Sequence, residues 1–278
     1  MKRSMSINSR DLPVSFRTRA YAKINWDLHV LARRPDGYHE IDSLVARIDL
    51  YDEIDILISN GKGITVDCEV APGKDNLVYK AASLLLESFN GNFSVEIKIK
   101  KNIPHGAGLG GGSSDAAAVI SCLGSFIGLD NTLLFEIAAK VGSDVPSFLF
   151  EGWRRMTGRG EIVEPLKGFE EEILLVCPDC HVPTPQVYSN WDQKPVSTRP
   201  GSMSDRLKSP QNDLFEAANL VCPKIGEAIN ALLDHGANIA SMSGSGSSVF
   251  ALFKQKAALL GAALELGKKY TCHRVRIF

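Results

Sequence analysis

The sequence predicts an α+β fold made of two domains. Segments that alternate apolar and polar residues, typical of half-buried strands, stand beside segments with an apolar face at helical spacing. Strands and helices alternate in both halves without the strict rhythm of a parallel α/β sheet. At 278 residues the chain exceeds one average domain, and a polar, turn-rich stretch from Gly158 to Leu166 indicates a boundary. We therefore predict an N-terminal domain over residues 1–160 and a C-terminal domain over residues 161–278.

The first half begins with a long period-two alternation from Phe16 to Val30, which predicts a strand or a hairpin. The same period places Lys23 and Asn25 on one face, roughly 7 Å apart. The remaining predicted elements of this half are a turn at Pro35-Asp36-Gly37, extended segments from Tyr38 to Leu50 and from Ile54 to Ile58, a helix capped by Asn76, a strand from Val95 to Lys101, a helix beginning near Ser114 and a helix from Leu133 to Val141.

The second half begins with an apolar run, Ile173 to Val176, which predicts a buried strand. Three prolines at 178, 183 and 185 argue against a helix after it. The segment from Lys194 to Pro210 is rich in proline and serine and predicts a mobile surface loop. The elements that follow are a helix capped by Asn212, a helix from Pro223 to His235, a short strand near Ala240, a strand from Val249 to Phe253, a helix from Ala257 to Leu266 and a strand from Cys272 to Phe278.

A glycine-rich segment from Ile103 to Asp115 lies between a predicted strand and a predicted helix, and it is the most informative part of the chain. Its glycines allow positive φ and let an anion approach the backbone amides closely. The following helix directs its unpaired N–H groups and positive dipole end at the same place. Together these features predict a site for the phosphates of a nucleotide.

Three other interpretations of this loop exist, and the sequence excludes one of them. A Walker A loop is excluded because no lysine precedes the serines. The spacing of Gly106, Gly108 and Gly111 fits a dinucleotide fingerprint, with Asp130 about twenty residues later. Asp130 follows a helical run, however, and fits better as the N-cap of the helix at Leu133. A glycine-rich structural turn without a ligand is the remaining alternative.

Composition limits the partners and the compartment. The net charge of −1 gives no general attraction for nucleic acid or an anionic membrane. No apolar run is long enough for a membrane span, and Met1 to Leu12 lacks the apolar core of a secretory signal, so we expect a cytoplasmic protein. Cys177-Pro178-Asp179-Cys180 has the C-x-x-C spacing, but it follows a strand, so we expect reduced thiols there.

Three segments resemble the GHMP kinases, the superfamily of galactokinase, homoserine kinase, mevalonate kinase and phosphomevalonate kinase. They are Ala22-Lys23-Ile24-Asn25, the glycine loop from Pro104 to Ala117, and the C-terminal motif from Ser243 to Ser248. Two more segments, Arg34 to Glu40 and Gly142 to Pro146, resemble the members whose acceptor carries a cytidine diphosphate group. The resemblance extends from about Tyr21 to Phe253.

The resemblance implies a GHMP kinase fold, with an N-terminal domain like domain 2 of ribosomal protein S5 and a ferredoxin-like C-terminal domain. It also implies an ATP-dependent kinase that uses Mg²⁺ and acts on a small molecule as a monomer or homodimer. Asp144 would be the catalytic base, and Lys23 would lie beside it. Without the resemblance, an N-cap ahead of Pro146 is the favoured interpretation of Asp144.

Further site residues follow from the same resemblance. The substrate would be bound by Asn25, Tyr38, His39, Thr184 and Tyr188. The predicted nucleotide site comprises Asn76, Pro104, Gly106, Gly108, Leu109, Gly110, Gly111, Gly112, Ser113 and Ser114. Ser114 could also contact Mg²⁺ through its hydroxyl oxygen. Two alternatives keep the fold: a kinase for another acceptor, such as homoserine, mevalonate or a sugar, and a regulator that binds nucleotide without catalysis.

Overall fold

The computed structural model describes residues 12–88, 92–193, 195 and 199–278 of the chain. The strands of the described residues are β1 (Val14–Asn25), β2 (His29–Arg33), β3 (His39–Asn60), β4 (Gly63–Asp67), β5 (Phe93–Lys100), β6 (Arg154–Gly158), β7 (Ile162–Pro165), β8 (Glu171–Cys177), β9 (Ile239–Met242), β10 (Val249–Leu252) and β11 (Thr271–Ile277). The α-helices are α1 (Leu77–Ser88), α2 (Gly111–Ile127), α3 (Asn131–Val141), α4 (Thr184–Gln193), α5 (Met203–Lys208), α6 (Phe215–Val221), α7 (Lys224–Asp234) and α8 (Lys256–Leu266). This mixture confirms the predicted α+β class.

The first of two compact units contains the described residues up to Tyr21 and those of Leu50–Ile103 and Gly111–Phe150. In it β5 pairs antiparallel with β3 and parallel with β4. Alternate residues of β3 and β5 are buried, as a sheet with one covered face requires. They pack with α1, α2 and α3 into one apolar cluster, which holds the two ends of the glycine loop in place.

The second compact unit contains Ala22–Asp49, Pro104–Gly110 and the described residues of Glu151–Phe278. Its strands β11, β8, β10 and β9 pair antiparallel in that order. The middle of β8 is buried on both faces, which explains its unbroken apolar run. The end of β1, the central part of the glycine loop and the C-terminal glycine motif all belong to this unit.

The two units are interleaved along the chain, because β1 and β3 each contribute to both. The prediction divides the chain once, after residue 160, and that division stays a prediction about the family's domains. A period-two pattern identifies a long strand but carries no signal for the point where its contacts change from one cluster to another.

The prediction drawn from the proline positions is wrong for the segment after β8. A helix, α4, begins at Thr184, although three prolines argue against a helix after the β8 strand. Pro183 and Pro185 lie at its start, where an absent N–H breaks no helical hydrogen bond. The backbone carbonyl of Pro183 accepts hydrogen bonds from the amides of Gln186 and Val187 at 3.0 and 3.2 Å. The prediction of no helix there is therefore wrong.

The predicted loop from Lys194 to Pro210 also contains a helix, α5, capped by the Ser202 hydroxyl. Residues 194 and 196–198 of this segment lie outside the described residues. Arg206 of α5 is buried because its guanidinium bonds both oxygens of Asp27 and one of Asp42. Charge pairing of this kind leaves no period in the sequence, so the composition suggested a loop.

The cysteine prediction is wrong for one residue of the C-x-x-C pair. Cys180 forms a disulfide with Cys222, which is 42 residues further along the chain. Cys177 remains a buried thiol 3.3 Å from the Ser248 hydroxyl, and its burial raises its pKa. A disulfide between distant segments depends on the fold, which spacing rules cannot supply. No helix of the described residues is long and apolar enough to cross a membrane.

Candidate functional site

The glycine loop joins β5 to α2 and depends on backbone conformations that glycine adopts at low cost. Gly106, Gly108 and Gly110 have φ values of 65°, 76° and 70°. Residues with a Cβ are disfavoured in this left-handed region by about 1–2 kcal/mol each. Alternating left-handed and ordinary residues form concave runs of amides that favour anions. The loop is therefore built as the predicted phosphate site requires.

The carbonyl oxygen of Gly108 links this loop to β1. It accepts a hydrogen bond from Lys23 Nζ at 2.8 Å and one from the Ser243 hydroxyl at 3.0 Å. Lys23 Nζ also donates to Asn25 Oδ1, so the two side chains share a face, as their spacing predicts. Both residues are buried. A lysine held in this way presents its charge at a fixed position.

Asn25 is held by two further contacts. Its amide nitrogen Nδ2 donates to the Ser43 hydroxyl at 2.7 Å, and its backbone N–H donates to the Ser243 hydroxyl at 3.0 Å. With Oδ1 bonded to Lys23, each polar group of its side chain has a partner in the chain. These bonds fix Lys23 in place, and the substrate-binding role of Asn25 stays a prediction.

The C-terminal glycine motif packs against the same point. A Cβ added to Gly108 would lie 2.3 Å from the Ser243 carbonyl oxygen and 2.9 Å from that of Gly246. The Asn212 side-chain amide donates to the carbonyls of Met242 and Gly244 at 2.8 and 2.9 Å, which holds the motif in shape. The three segments singled out by the sequence thus meet within the second unit.

A buried charge cluster fixes both ends of the glycine loop within the first unit. Lys101 Nζ donates to Asp52 and, at 2.7 Å, to Asp115, the fifth residue of α2. Asp52 in turn accepts from the backbone amides of Asn102 and Ile103 at 2.6 and 2.8 Å. The residues before and after the loop are therefore tied to one another through Lys101.

The cluster carries one cation and two carboxyl groups, and its burial changes the ionisation of Asp115. Burial and, to a smaller extent, the nearby Asp52 carboxylate raise the pKa of Asp115 to about 7, against the opposite effect of Lys101. Asp115 Oδ1 has no hydrogen-bond partner among the described residues. Sequence reasoning missed this cluster, because Asp115 was included only as the end of the loop.

Ser114 and Asn76 use their side chains within the first unit. The Ser114 hydroxyl donates to the Tyr21 carbonyl at 2.6 Å, and the residue is buried. Asn76 Oδ1 accepts from the Val78 amide at 2.8 Å, which confirms its capping role, and its Nδ2 donates to the Ala71 carbonyl at 2.8 Å. Both polar groups of the Asn76 side chain therefore have partners in the chain, and its place near a nucleotide stays a prediction.

Asp144 does not perform the helix cap that competes with its predicted catalytic role. It precedes a 3-10 helix, Val145–Leu149, and its side chain makes no capping hydrogen bond. Its backbone carbonyl instead accepts from the amide and hydroxyl of Ser147 at 3.2 and 2.8 Å. The carboxylate is half-buried. Lys23 belongs to the second unit and Asp144 to the first, so their proximity stays a prediction.

Three of the predicted substrate-binding residues, Tyr38, His39 and Tyr188, belong to the second unit and are called the aromatic group below. The His39 imidazole stacks on the Tyr188 ring, with centroids 4.6 Å apart and planes at 25°. Tyr38 is 53% exposed, and the Arg159 guanidinium lies 4.8 Å from its ring centroid. An aromatic exposed to this extent is available for stacking, whereas Tyr188 is half-buried on the α4 helix. The Thr184 hydroxyl lies 2.8 Å from that of Ser245, which joins α4 to the C-terminal motif.

Comparisons with known proteins agree with this arrangement. The family model of the GHMP kinases N terminal domain matches residues 76–152, and that of the GHMP kinases C terminal matches residues 199–272. A 4-diphosphocytidyl-2-C-methyl-D-erythritol kinase of Citrifermentans bemidjiense is 39% identical over 263 residues, covering 90% of this chain and 93% of that protein. The chain belongs to the GHMP kinases, in the family of the 4-diphosphocytidyl-2-C-methyl-D-erythritol kinases.

Solved structures of GHMP kinases support this membership. A crystal structure of 4-(cytidine 5′-diphospho)-2C-methyl-D-erythritol kinase matches with a TM-score of 0.84 and 32% identity, covering 94% of this chain and 99% of that one. The mevalonate kinase of Methanococcus jannaschii has a TM-score of 0.71 at 14% identity, covering 97% of this chain and 99% of its own. The second match shows the fold alone. The predicted GHMP kinase fold is confirmed.

Several residues of this GHMP kinase site were absent from the prediction. Lys101, Asp52, Asn212 and Asp192 make the bonds that hold the predicted residues in place. Asp192 follows Tyr188 by four residues and shares its face on α4, a spacing that would have been informative had a helix been predicted there. The charge cluster and Asn212 connect segments that are distant in sequence, which local patterns cannot reveal.

Proposed function

We propose that this chain transfers the γ-phosphoryl group of ATP to the 2-hydroxyl of 4-diphosphocytidyl-2-C-methyl-D-erythritol, a step of the non-mevalonate route to isoprenoid precursors. The observation that carries the proposal is the 39% identity to a kinase of that name over 93% of its length. The geometry of Lys23, the glycine loop and the aromatic group supports it. The chain is an enzyme of the kinase class, and its acceptor is a small molecule.

The triphosphate of ATP would lie against the glycine loop and the start of α2. Backbone N–H groups of residues 106–112 and the positive end of the α2 dipole favour its negative charge. Lys101 and Asp52 keep the two ends of the loop together, so the amides need little reorganisation when the phosphates bind. Pro104, Leu109, Ser113 and Ser114 complete the proposed nucleotide site, with Asn76 near the adenine.

Lys23 supplies the fixed positive charge. Its bonds to Asn25 and Gly108 hold the ammonium in one position, and a preorganised cation stabilises negative charge that develops on the transferred phosphoryl group. Asn25 acts through Lys23 and is a positioning residue. The side chain of Ser243, which joins Asn25 to Gly108, has the same role.

Asp144 would accept the proton of the 2-hydroxyl. As the hydroxyl oxygen bonds to the γ-phosphorus, the bond from that phosphorus to the oxygen bridging the β- and γ-phosphates breaks, and ADP leaves. The proton of the hydroxyl passes to an Asp144 carboxylate oxygen. Because this carboxylate makes no capping bond, it is able to accept a proton.

The cytidine group would bind at the aromatic group, with Tyr38 supplying a ring for stacking. His39 and Tyr188, already stacked on each other, would form the other wall, and Thr184 would lie nearby. Stacking a base on an aromatic ring contributes about 1–3 kcal/mol. The Arg159 guanidinium lies against one face of the Tyr38 ring, and the base would stack on the other.

Mg²⁺ fits this site as an ion carried by the nucleotide. The described residues contain no group of three or more His, Cys, Asp or Glu side chains that could hold a metal, and Mg²⁺ in kinase sites takes most of its ligands from phosphate oxygens and water. When bound, it would neutralise charge on the phosphates. Ser114, whose hydroxyl proton is directed at the Tyr21 carbonyl, offers only oxygen lone pairs to a metal.

The test is release of ADP from ATP and Mg²⁺ with each of three acceptors: the cytidylyl substrate, homoserine and mevalonate. We expect turnover with the cytidylyl substrate alone. Turnover with another acceptor would keep the kinase chemistry but reject the aromatic group as a base site. ADP release with none of them would favour a nucleotide-binding protein without catalysis.

A further inference from the structure

Three side chains on one face of α4 contact His39. Tyr188, Trp191 and Asp192 stand at positions i, i+3 and i+4, which share one side of a helix. Tyr188 stacks on the imidazole, Trp191 meets its edge with centroids 5.6 Å apart and planes at 89°, and Asp192 Oδ1 lies 2.8 Å from Nε2. Each of these side chains contacts a different part of the ring, so together they fix both its plane and its rotation.

The strands beneath α4 reinforce this arrangement. Arg33 of β2 is the direct antiparallel partner of His39 at the start of β3. Arg33 Nη1 lies 3.5 Å from Asp192 Oδ2, while Asp192 Oδ1 faces His39. The Asp192 carboxylate thus lies between Arg33 and His39, the paired residues of the hairpin, and each of its oxygens faces one of them. The His39 side chain is 7% exposed and that of Asp192 is 23% exposed, so solvent competes little for their hydrogen bond.

The chemistry of the pair determines where the imidazole carries its proton. An ionised carboxylate accepts hydrogen bonds and donates none, so Nε2 must be the protonated nitrogen. In the neutral imidazole Nδ1 is then an acceptor only. A histidine without such a partner exchanges between two tautomers and between ring orientations, and a ligand must select one of them.

We propose that Asp192 is a positioning residue that fixes His39 in the Nε2–H tautomer and in one orientation, so that the cytosine-binding wall is formed before the substrate arrives. This inference rests on the proposed function for the identity of the substrate. Its structural part, the tautomer, concerns only residues of this chain. Trp191 and Tyr188 hold the plane of the ring, and Asp192 supplies a contact, seen among the described residues, that distinguishes its two nitrogens.

The first test reads the tautomer directly. Long-range proton–nitrogen NMR spectra of the whole protein, at about pH 8 where an ordinary histidine is neutral, distinguish a protonated from an unprotonated ring nitrogen. A His39→Gln variant assigns the signals. We expect Nε2 of His39 to be protonated in the wild type, and Asp192→Ala to give a mixture of the two tautomers. Protonation of Nδ1 in the wild type, or spectra unchanged by Asp192→Ala, would overturn the proposal.

The second test separates substrate binding from catalysis. We expect Asp192→Ala to raise the KM for the cytidylyl substrate about tenfold, the usual scale for a lost hydrogen bond to a charged group, with kcat and the KM for ATP within about twofold. Asp192→Asn keeps the shape but can donate as well as accept, so it should raise the KM by a smaller factor. Asp55→Ala, which removes an exposed carboxylate paired with Arg17, is the matched control and should change nothing.

The outcomes also separate this inference from the proposed function. An unchanged KM for the cytidylyl substrate in Asp192→Ala would reject the positioning role. If the wild type does not use that substrate at all, the proposed function fails, whereas the NMR result still decides whether Asp192 sets the tautomer. A fall in both kcat and thermal stability, with the KM unchanged, would show a role in folding alone and would also overturn the proposal.

Discussion

Replacing Gly108 by alanine tests the link between the glycine loop, Lys23 and the C-terminal motif. Two costs follow from the structure. The φ of 76° places an alanine in the left-handed region, which costs about 1–2 kcal/mol. The added Cβ would lie 2.3 Å from the Ser243 carbonyl oxygen, so backbone must move by about 1 Å to restore ordinary contact, and such overpacking typically costs about 1–3 kcal/mol. Together these two costs should lower the free energy of unfolding by about 2–5 kcal/mol.

The same displacement should affect catalysis, because the Gly108 carbonyl holds Lys23 Nζ. A misplacement of about 1 Å in a catalytic group can reduce turnover by about 10². Gly236→Ala is the matched control: its φ is 86°, but the nearest atom to its Cβ would be 3.8 Å away. We expect it to show only the left-handed cost, with normal turnover.

Urea denaturation and steady-state ADP release measure both effects. Equal losses of stability in Gly108→Ala and Gly236→Ala would show that the close approach of the two motifs is absent. Full activity of Gly108→Ala would show that the loop does not position Lys23.

Three further predictions concern single side chains. Asp144→Asn should reduce turnover by about 10² or more, with the KM for ATP nearly unchanged, because it removes the proton acceptor alone; steady-state kinetics with both substrates measures this. Tyr38→Ala should weaken binding of the cytidylyl substrate by about 1–3 kcal/mol, the contribution of one stacked base, and calorimetric titration measures it. Asp115→Asn should change the pH dependence of stability, because the folded-state pKa of Asp115 is raised to about 7. Ionisation of Asp115 should therefore lower the free energy of unfolding of the wild type as the pH rises from about 4 to 7, by up to about 1.4 kcal/mol per pH unit. Urea denaturation at several pH values should find no such loss in the variant.

Each of these three predictions has a result that would contradict it, and two of them have a control variant. Asp130→Asn, which alters a helix cap, should leave turnover normal, and an Asp144→Asn variant with equal turnover would remove Asp144 from the mechanism. Tyr38→Phe keeps the ring and should bind normally, whereas unchanged affinity in Tyr38→Ala would contradict stacking. Parallel pH profiles of the wild type and Asp115→Asn would show that Asp115 is ionised throughout this range.

Much of the fold could be predicted because local periods decide it. The alternation along β1 correctly placed Lys23 and Asn25 on one face, and Asp130 caps α3 as expected, with its carboxylate 2.9 Å from the Leu133 amide. That cap removes the acidic residue that the dinucleotide interpretation needed. By contrast, β7, which pairs with β6 in a hairpin, lies where a turn-rich boundary was expected, because a mostly exposed strand of four residues is too short to show a period.

The contacts that hold the site could not be predicted. The Gly108 carbonyl has no side chain to mark it, and its partners Lys23 and Ser243 are 85 and 135 residues away in sequence. The burial of Arg206 depends on two aspartates from other elements. Resemblance supplied the roles of Tyr38, His39 and Asp144, whereas the bonds that orient such residues become visible only once the chain is folded.

The most direct test of the whole account is ADP release in the presence of ATP and Mg²⁺, with 4-diphosphocytidyl-2-C-methyl-D-erythritol, homoserine and mevalonate supplied separately. We expect turnover with the cytidylyl substrate and none above background with the other two. Turnover with homoserine or mevalonate in its place, or no turnover with any acceptor, would contradict it.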